Sequence, residues 1–306
     1  MEPHPCDDLP ALLQHVLADP AASRRRADRQ QLTAFREYIR HCELEWEGWC
    51  VRRGRRRTAH VLALFLPGNV TFLMLGEPLG PQQTDDQCRL TAWVTQRLVA
   101  RRPYYLQSLA EPQAVGRQAA LAAAGFRRLT DLQYMQRGVL GPEPGAMFAA
   151  PPRGAPPIEW RSYEPQARAD FLDVLEQTGR DSQDCPELNS LRPVEATFES
   201  HRAAGRFDPR CWELALVEGH PVGCVLSAGV VGTPLSEVVY VGVVPGWRRR
   251  GLGRALLARS RHHARVLGAA GQIIVYDVRN APARQLYERV GFVPLTLYQA
   301  WVRSPG

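Results

Sequence analysis

Apolar and polar positions change their spacing several times along the chain, and each change predicts an element. Residues 9 to 42 place apolar side chains at helical intervals and predict two helices, Leu9 to Leu17 and Ala27 to about Cys42. From Trp46 the spacing shortens to that of strands. Trp49 to Arg52, Thr58 to Leu66 and Val70 to Leu75 predict an antiparallel meander that turns at Arg-Gly-Arg and at Pro-Gly-Asn. A helix over about Asp85 to Arg101 follows, with Thr84 as its expected N-cap and Gln87 reaching back to complete a capping box. Tyr104 to Leu109 predicts a strand, Ala114 to Ala124 a helix, and Arg128 to Arg137 another strand.

The second half repeats this alternation. Ile158 to Arg161 predicts a short strand and Pro165 to Thr178 a helix, whereas Asp181 to Arg210 is polar and has no clear period. Trp212 to Val217 and Val222 to Ala228 read as a hairpin turning on Glu218 to Pro221. Val238 to Val244 is apolar at both parities, which predicts a central strand covered on both faces. Pro245-Gly246 stops it. From Leu252 a helix sets Leu252, Leu256, Leu257, Ala264 and Leu267 on one side and Arg254, Arg261, His262 and Arg265 on the other, with His262-His263 expected at the surface. Gln272 to Asp277, Pro282 to Val290 and Pro294 to Val302 complete a strand, a helix and a strand. The pattern predicts an α/β fold of the α+β kind, built on a mixed sheet. Gly125-Phe126 with Leu129-Thr130 echoes Gly291-Phe292 with Leu295-Thr296, each pair following a helix, so the chain reads as an internal duplication. Gly141 to Pro157 holds six prolines and reads as a stiff linker between units 1–140 and 158–306.

Composition narrows the class. A chain of 306 residues that is 45% hydrophobic and 23% charged is ordinary for a soluble globular protein, and long enough to bury two cores. The net charge of +7 is carried by arginine alone, which is a compositional bias and discounts arginine runs as evidence for nucleic-acid binding. The run Arg52 to Arg57 sits at an expected hairpin tip; a solvated turn is the preferred reading, with an RNA or ribosome contact as the alternative. Seven scattered cysteines without a C-x-x-C pair point to reduced thiols rather than a disulfide framework or a zinc site. The start of the chain lacks a basic and apolar leader, and the longest apolar run, Val61 to Leu66, is too short to span a bilayer. A cytoplasmic protein with no membrane partner is expected.

The chemistry gathers after the central strand. Arg248-Arg249-Arg250-Gly251-Leu252-Gly253 lies between that strand and a helix start. Glycines let the backbone approach a ligand, the first helical turn offers unpaired N–H groups, and arginines add full charges, so the stretch suits a phosphate. It is not a P-loop, since no Lys-Ser/Thr pair follows, and it lacks the three glycines of a dinucleotide fingerprint. Arg248-x-x-Gly251-x-Gly253 after the strand end Val243-Val244-Pro245, with Asn280-Ala-Pro-Ala-Arg-Gln-Leu-Tyr287-Glu-Arg-Val-Gly291-Phe292 downstream, resembles the GNAT superfamily of N-acetyltransferases over roughly residues 158 to 303. Two tandem units, the C-terminal one intact and the N-terminal one degenerate, resemble the layout of mycothiol synthase-like members of that superfamily.

The resemblance implies acetyl-CoA as co-substrate, no metal, and transfer of an acetyl group to an amine by direct attack. It puts Arg248, Arg249, Arg250, Gly251, Leu252, Gly253 and Arg254 against the pyrophosphate, with Val241, Gly242 and Val243 along the pantetheine arm and Asn280 touching the CoA chain. It makes Glu237, at the start of the central strand, the general base, and Tyr287 the acid that protonates the leaving thiolate. The residues alone allow plainer roles: Glu237 as a solvated strand-end carboxylate, Tyr287 as a half-buried aromatic, Asn280 as a helix cap. The acceptor is expected to be a small-molecule amine, or a protein N-terminus or lysine, and nucleic acid is not expected. A non-catalytic acyl-CoA sensor is the alternative from another functional class. Acceptor identity, acyl-chain length and oligomeric state stay open.

Overall fold

The computed structural model describes residues 2–18, 29–139 and 157–305. Of the expected linker only Pro157 falls among them. By packing, the chain forms two compact units, Met1–Leu132 together with Leu297–Gly306, and Gln133–Thr296.

The first unit runs β1 (Pro3–Pro5), α1 (Leu9–Val16), α2 (Arg29–His41), β2 (Glu45–Arg53), β3 (Arg56–Leu66), β4 (Val70–Leu75), α3 (Pro81–Val99), β5 (Tyr105–Ala110) and α4 (Val115–Ala123), and then enters β6 (Arg127–Gly138). Its strands lie in the order β1-β2-β3-β4-β5, antiparallel except for the parallel β4–β5 pair that the α3 crossover joins. Alternation along β3 sends Val61 and Ala63 into a core with Leu90, Val94 and Leu121 of α3 and α4. The same alternation sends Leu62 and Leu64 to the other face, against Leu12, Leu13 and Ile39 of α1 and α2.

Helix α3 begins a turn earlier than the capping box predicts. Gly80 is its N-cap, at φ 82°, and Pro81 opens the helix with its φ already fixed for the first turn. Thr84 therefore lies inside the helix and donates its hydroxyl to the Gly80 carbonyl (3.0 Å). Gln87, expected to reach back to the cap, is buried, and its amide pairs with both the N–H and the carbonyl of His60. The Arg52 to Arg57 turn is the β2–β3 hairpin tip as expected, and Arg53 is held there by two 2.8 Å bonds to the buried Asp86.

The second unit continues from β6 through β7 (Glu159–Ser162), α5 (Arg168–Gly179), α6 (Val194–Arg202), β8 (Arg206–Val217), β9 (His220–Gly229), β10 (Leu235–Val243), α7 (Leu252–Val266), β11 (Gly271–Asp277) and α8 (Ala281–Arg289) to β12 (Val293–Arg303). Its strands lie in the order β6-β11-β10-β9-β8-β7, so β10 is interior and carries helices on both faces, as its two-sided apolar pattern predicts. Val225, Val238, Leu256, Leu257 and Tyr287 form the core under α7 and α8. Phe171, Phe198, Trp212, Leu214 and Leu226 form the one under α5 and α6. β6 is tied into this unit by Arg137, whose buried guanidinium donates to Gln272 Oε1 (2.6 Å) and to the Leu257 carbonyl (2.9 Å). The end of β12, Gln299 to Arg303, pairs instead with β5 of the first unit.

One surface expectation fails in this unit. His263 is fully buried, because Glu213 on β8 and Ser227 on β9 reach its two ring nitrogens at 2.8 and 3.2 Å. His262 beside it is exposed, as expected. Among the described residues no helix is long and apolar enough to cross a membrane.

Candidate active site

The site in the second unit is made by two strands that part. β10 and β11 pair in parallel from Leu235↔Gly271 to Val238↔Ile274. At Val239 a bulge interrupts β10, and Tyr240 to Val243 keep only their antiparallel partner β9. The divergence leaves a groove of about 710 Å³ whose walls include Val241, Gly242 and Val243 of β10, Val275 of β11, and Asn280, Leu286 and Tyr287 around α8. The segment Asp181 to Asp184 forms a further wall.

The open end of the groove is cationic. After a 3-10 turn over Pro245–Trp247, Arg249 takes φ 64° and Gly251 takes φ 83° as the N-cap of α7. No side chain caps this helix, so its first turn faces the groove with its partial positive charge, beside Arg249, Arg254 and Arg289. A Cβ at Gly253 would stand 3.0 Å from Leu286 Cδ2, which keeps this turn of α7 close to α8. These features suit the pyrophosphate of a CoA thioester.

Two of the expected cofactor residues do not line the groove, and two that line it are engaged with other parts of the chain. Leu252 is buried in the core, and Arg250 stacks over Trp247 at 5.0 Å; neither lines the groove. Arg248 lines it, but its guanidinium donates to four backbone carbonyls, of Val243 (3.1 Å), Thr178 (3.2 Å), Arg180 (2.7 Å) and Asp181 (3.4 Å). Asn280 caps α8, its Oδ1 accepting from the Ala283 N–H at 3.1 Å, while its Nδ2 donates to Asp184 Oδ2 at 3.2 Å.

The two groups expected to handle protons differ in setting. Tyr287 is buried at the groove wall, edge-on to Tyr276 with ring centres 5.8 Å apart, and burial pushes its hydroxyl well above the usual tyrosine range. Glu237 is partly buried and does not line the groove, and burial pushes its carboxyl up to about 7. The register of β10 on β9 sets Glu237, opposite Ala228, on the same sheet face as Tyr240, opposite Leu226. Tyr240 shares a 2.8 Å hydrogen bond with Thr178 of α5, and its ring lies so close over Gly242 that a Cβ there would meet Tyr240 Cε1 at 2.7 Å. Sequence reasoning singled out neither Tyr240 nor Thr178. Their meeting depends on α5 crossing the bulge, and no local pattern records that.

Residues 175–292 match the acetyltransferase (GNAT) family. That stretch is a GNAT domain. The match runs from the second half of α5 to Phe292 and contains every residue that lines the groove. Among curated proteins the chain is similar to the mycothiol acetyltransferase of Thermobifida fusca, 30% identical over 192 residues, and to that of Thermomonospora curvata, 34% identical over 176 residues. The first match covers 57% of both chains, and the second 57% of this chain and 56% of the relative. The chain thus spans under three-fifths of each of these two relatives. Among solved structures it resembles a GCN5-related N-acetyltransferase from Sphaerobacter thermophilus, with TM-score 0.64 at 19% identity over 99% of this chain and 95% of that one. It also resembles a tandem GNAT protein from the clavulanic acid biosynthesis pathway, with TM-score 0.59 at 15% identity over 100% and 98%. At those identities the structures establish the fold, which is the tandem GNAT one.

The first unit repeats the strand order, but its two helices at the counterpart of the groove are packed differently. α3 and α4 pack along each other there. The start of α4 is already occupied, because Glu77 accepts the N–H groups of both Gly116 and Arg117 at 3.1 Å. Pro78 lies so near that a Cβ at Gly116 would meet its ring at 2.4 Å.

Proposed function

We propose that the chain is an N-acetyltransferase that moves the acetyl group of acetyl-CoA onto an amine by direct attack, using the groove of its GNAT domain. The observation that carries this reading is the parting of β10 and β11 at the Val239 bulge, directly above an uncapped, arginine-flanked start of α7. The backbone groups of Val241 and the N–H of Val243, not paired with β11, can pair with an extended pantetheine arm, while the Val243 carbonyl accepts from Arg248. Glu237, with its carboxyl at about 7, takes the proton of the attacking amine, directly or through a water. Tyr287, whose high pKa keeps it protonated, delivers its proton to the departing thiolate. The relatives' names point to a small-molecule acceptor rather than a protein. Seven cysteines, none of them in a disulfide, suit a reducing compartment, the cytoplasm by default.

The test is a pH–rate profile on a panel of amines for wild type, Glu237→Gln and Tyr287→Phe. A basic amine of pKa near 10.4 is neutral in only about one molecule in 2,500 at pH 7, so loss of the base should cost ~10²–10⁴-fold in kcat/KM. Wild type should show a limb near pH 7 that Glu237→Gln lacks, and Tyr287→Phe should lower kcat with acetyl-CoA affinity kept. Tight binding of acetyl-CoA with no turnover on any amine would make the chain an acyl-CoA sensor instead.

A further inference from the structure

The segment from the end of α5 to Asn189 is a strap along one wall of the groove, and it is fastened at two places. Near its start, Arg248 holds the carbonyls of Thr178, Arg180 and Asp181. Further on, Asp184 accepts the Asp277 N–H at 2.6 Å and the Asn280 amide at 3.2 Å, Asp277 accepts the Cys185 N–H at 3.1 Å, and Arg279 joins Glu187 at 2.6 Å. Between these ties the backbone twice enters the left-handed region, at Asp181 (φ 53°) and Cys185 (φ 43°). Neither residue is a glycine, and such a backbone is uncommon for a residue with a Cβ, although aspartate tolerates it better than cysteine.

Arg248 is the one tie that belongs to the loop expected to hold phosphate. Its guanidinium carries five N–H donors, and four of them already go to backbone carbonyls. Turning it toward an anion would strip the α5 end of its partners and release the strap. We propose that Arg248 is a positioning residue, which binds no phosphate but locks the strap to the α7 loop, so that a cofactor settling on that loop orders the wall against which the acceptor amine packs. The proposal rests on the acetyl-CoA reading above. It predicts ordered binding, acetyl-CoA first, and assigns the phosphate contacts to the start of α7 with Arg249 and Arg254.

Hydrogen exchange on the full chain tests it, with and without acetyl-CoA, for wild type, Arg248→Ala and Arg248→Gln. In wild type, acetyl-CoA should slow exchange across residues 178–189. Both variants should bind acetyl-CoA within about threefold of wild type, yet show no such protection, and their KM for the best amine should rise ~tenfold or more. Glutamine, which can replace one guanidinium bond, should show the smaller effect, and it decides the matter if the alanine variant does not fold. Added methylguanidinium should restore part of the acceptor KM in Arg248→Ala. An acetyl-CoA affinity lowered tenfold or more in both variants, with strap protection retained at saturation, would show Arg248 to be a phosphate ligand and overturn the proposal. Failure of wild type to bind acetyl-CoA would be seen before any variant is made, and would instead remove the reading on which the proposal rests.

Discussion

Glu213 and Glu237 stand on strands of the same unit and meet burial in opposite ways. Burial alone would raise the Glu213 carboxyl, but hydrogen bonds from His263 and Arg259 outweigh it and hold the group down at about 2. Its folded value lies below its unfolded one, so its contribution to stability is complete above about pH 4.5 and is lost as pH falls toward 2. Glu237 is shifted by burial, and sits at about 7 against an ordinary 4.5. The sign is reversed: between pH 4.5 and 7 the folded chain keeps a proton that the unfolded chain releases, so destabilisation grows through that window and is complete above it. A gap of this size corresponds to on the order of 1–3 kcal/mol. Glu237→Gln should therefore be more stable than wild type by that amount at pH 8, with the advantage gone at pH 4.5, while activity falls. Urea titrations at the two pH values measure it, and an equal gap at both would show that the carboxyl is not held uncharged by its surroundings. A stability cost at this position is what a carboxyl kept for proton transfer, rather than for folding, would show.

Among the elements, the turn into α7 places the sharpest demand on residue type. Gly251 sits at φ 83° and its N–H begins the uncapped end of the helix. Gly251→Asp adds strain, worth ~1 kcal/mol for a left-handed residue with a Cβ, and sets a carboxylate where the pyrophosphate would lie. Gly251→Ala carries the strain without the charge. Acetyl-CoA affinity by calorimetry should fall at least ~tenfold in the aspartate variant and much less in the alanine one. Equal losses would mean that loop shape matters and the anion site does not. This turn was readable from residue types alone, as were the central strand and the bounds of β4, because each is written in local spacing. Asp181 to Arg210 was not, since its course is set by docked side chains such as Asp184 and Arg248 rather than by a period. The burial of His263 was hidden for a related reason. Its neighbour His262 is exposed, and the partners that draw His263 inward lie on other strands. The early start of α3 was overlooked because a well-formed T-x-x-Q outweighed Gly80-Pro81, although a proline at the first helical position is the stronger mark.

At the scale of the whole molecule, the two copies of a duplicated fold differ at the place where the second carries its groove. The repeat of Gly-Phe after a helix announced two units; it did not show that β6 would join the second unit and the end of β12 the first, since strand partners lie far off in sequence. Three local features of the first unit differ from the second there. At its counterpart of the α7 turn, Gly80-Pro81 replaces the arginine-glycine run. At its counterpart of the Asn280 cap, the Glu77 carboxylate satisfies the N–H groups of α4 and repels any phosphate there. Between them α3 and α4 close on each other, where the second unit leaves its groove open. Calorimetric titration of the full chain should accordingly give one acetyl-CoA per chain, with a single affinity. Gly251→Asp provides the control, since it acts only in the second unit and should weaken the one event without uncovering another. A stoichiometry of two, or a second binding event that survives Gly251→Asp, would mean that the Glu77–Pro78 segment yields to ligand and that the first unit is a cofactor site in its own right.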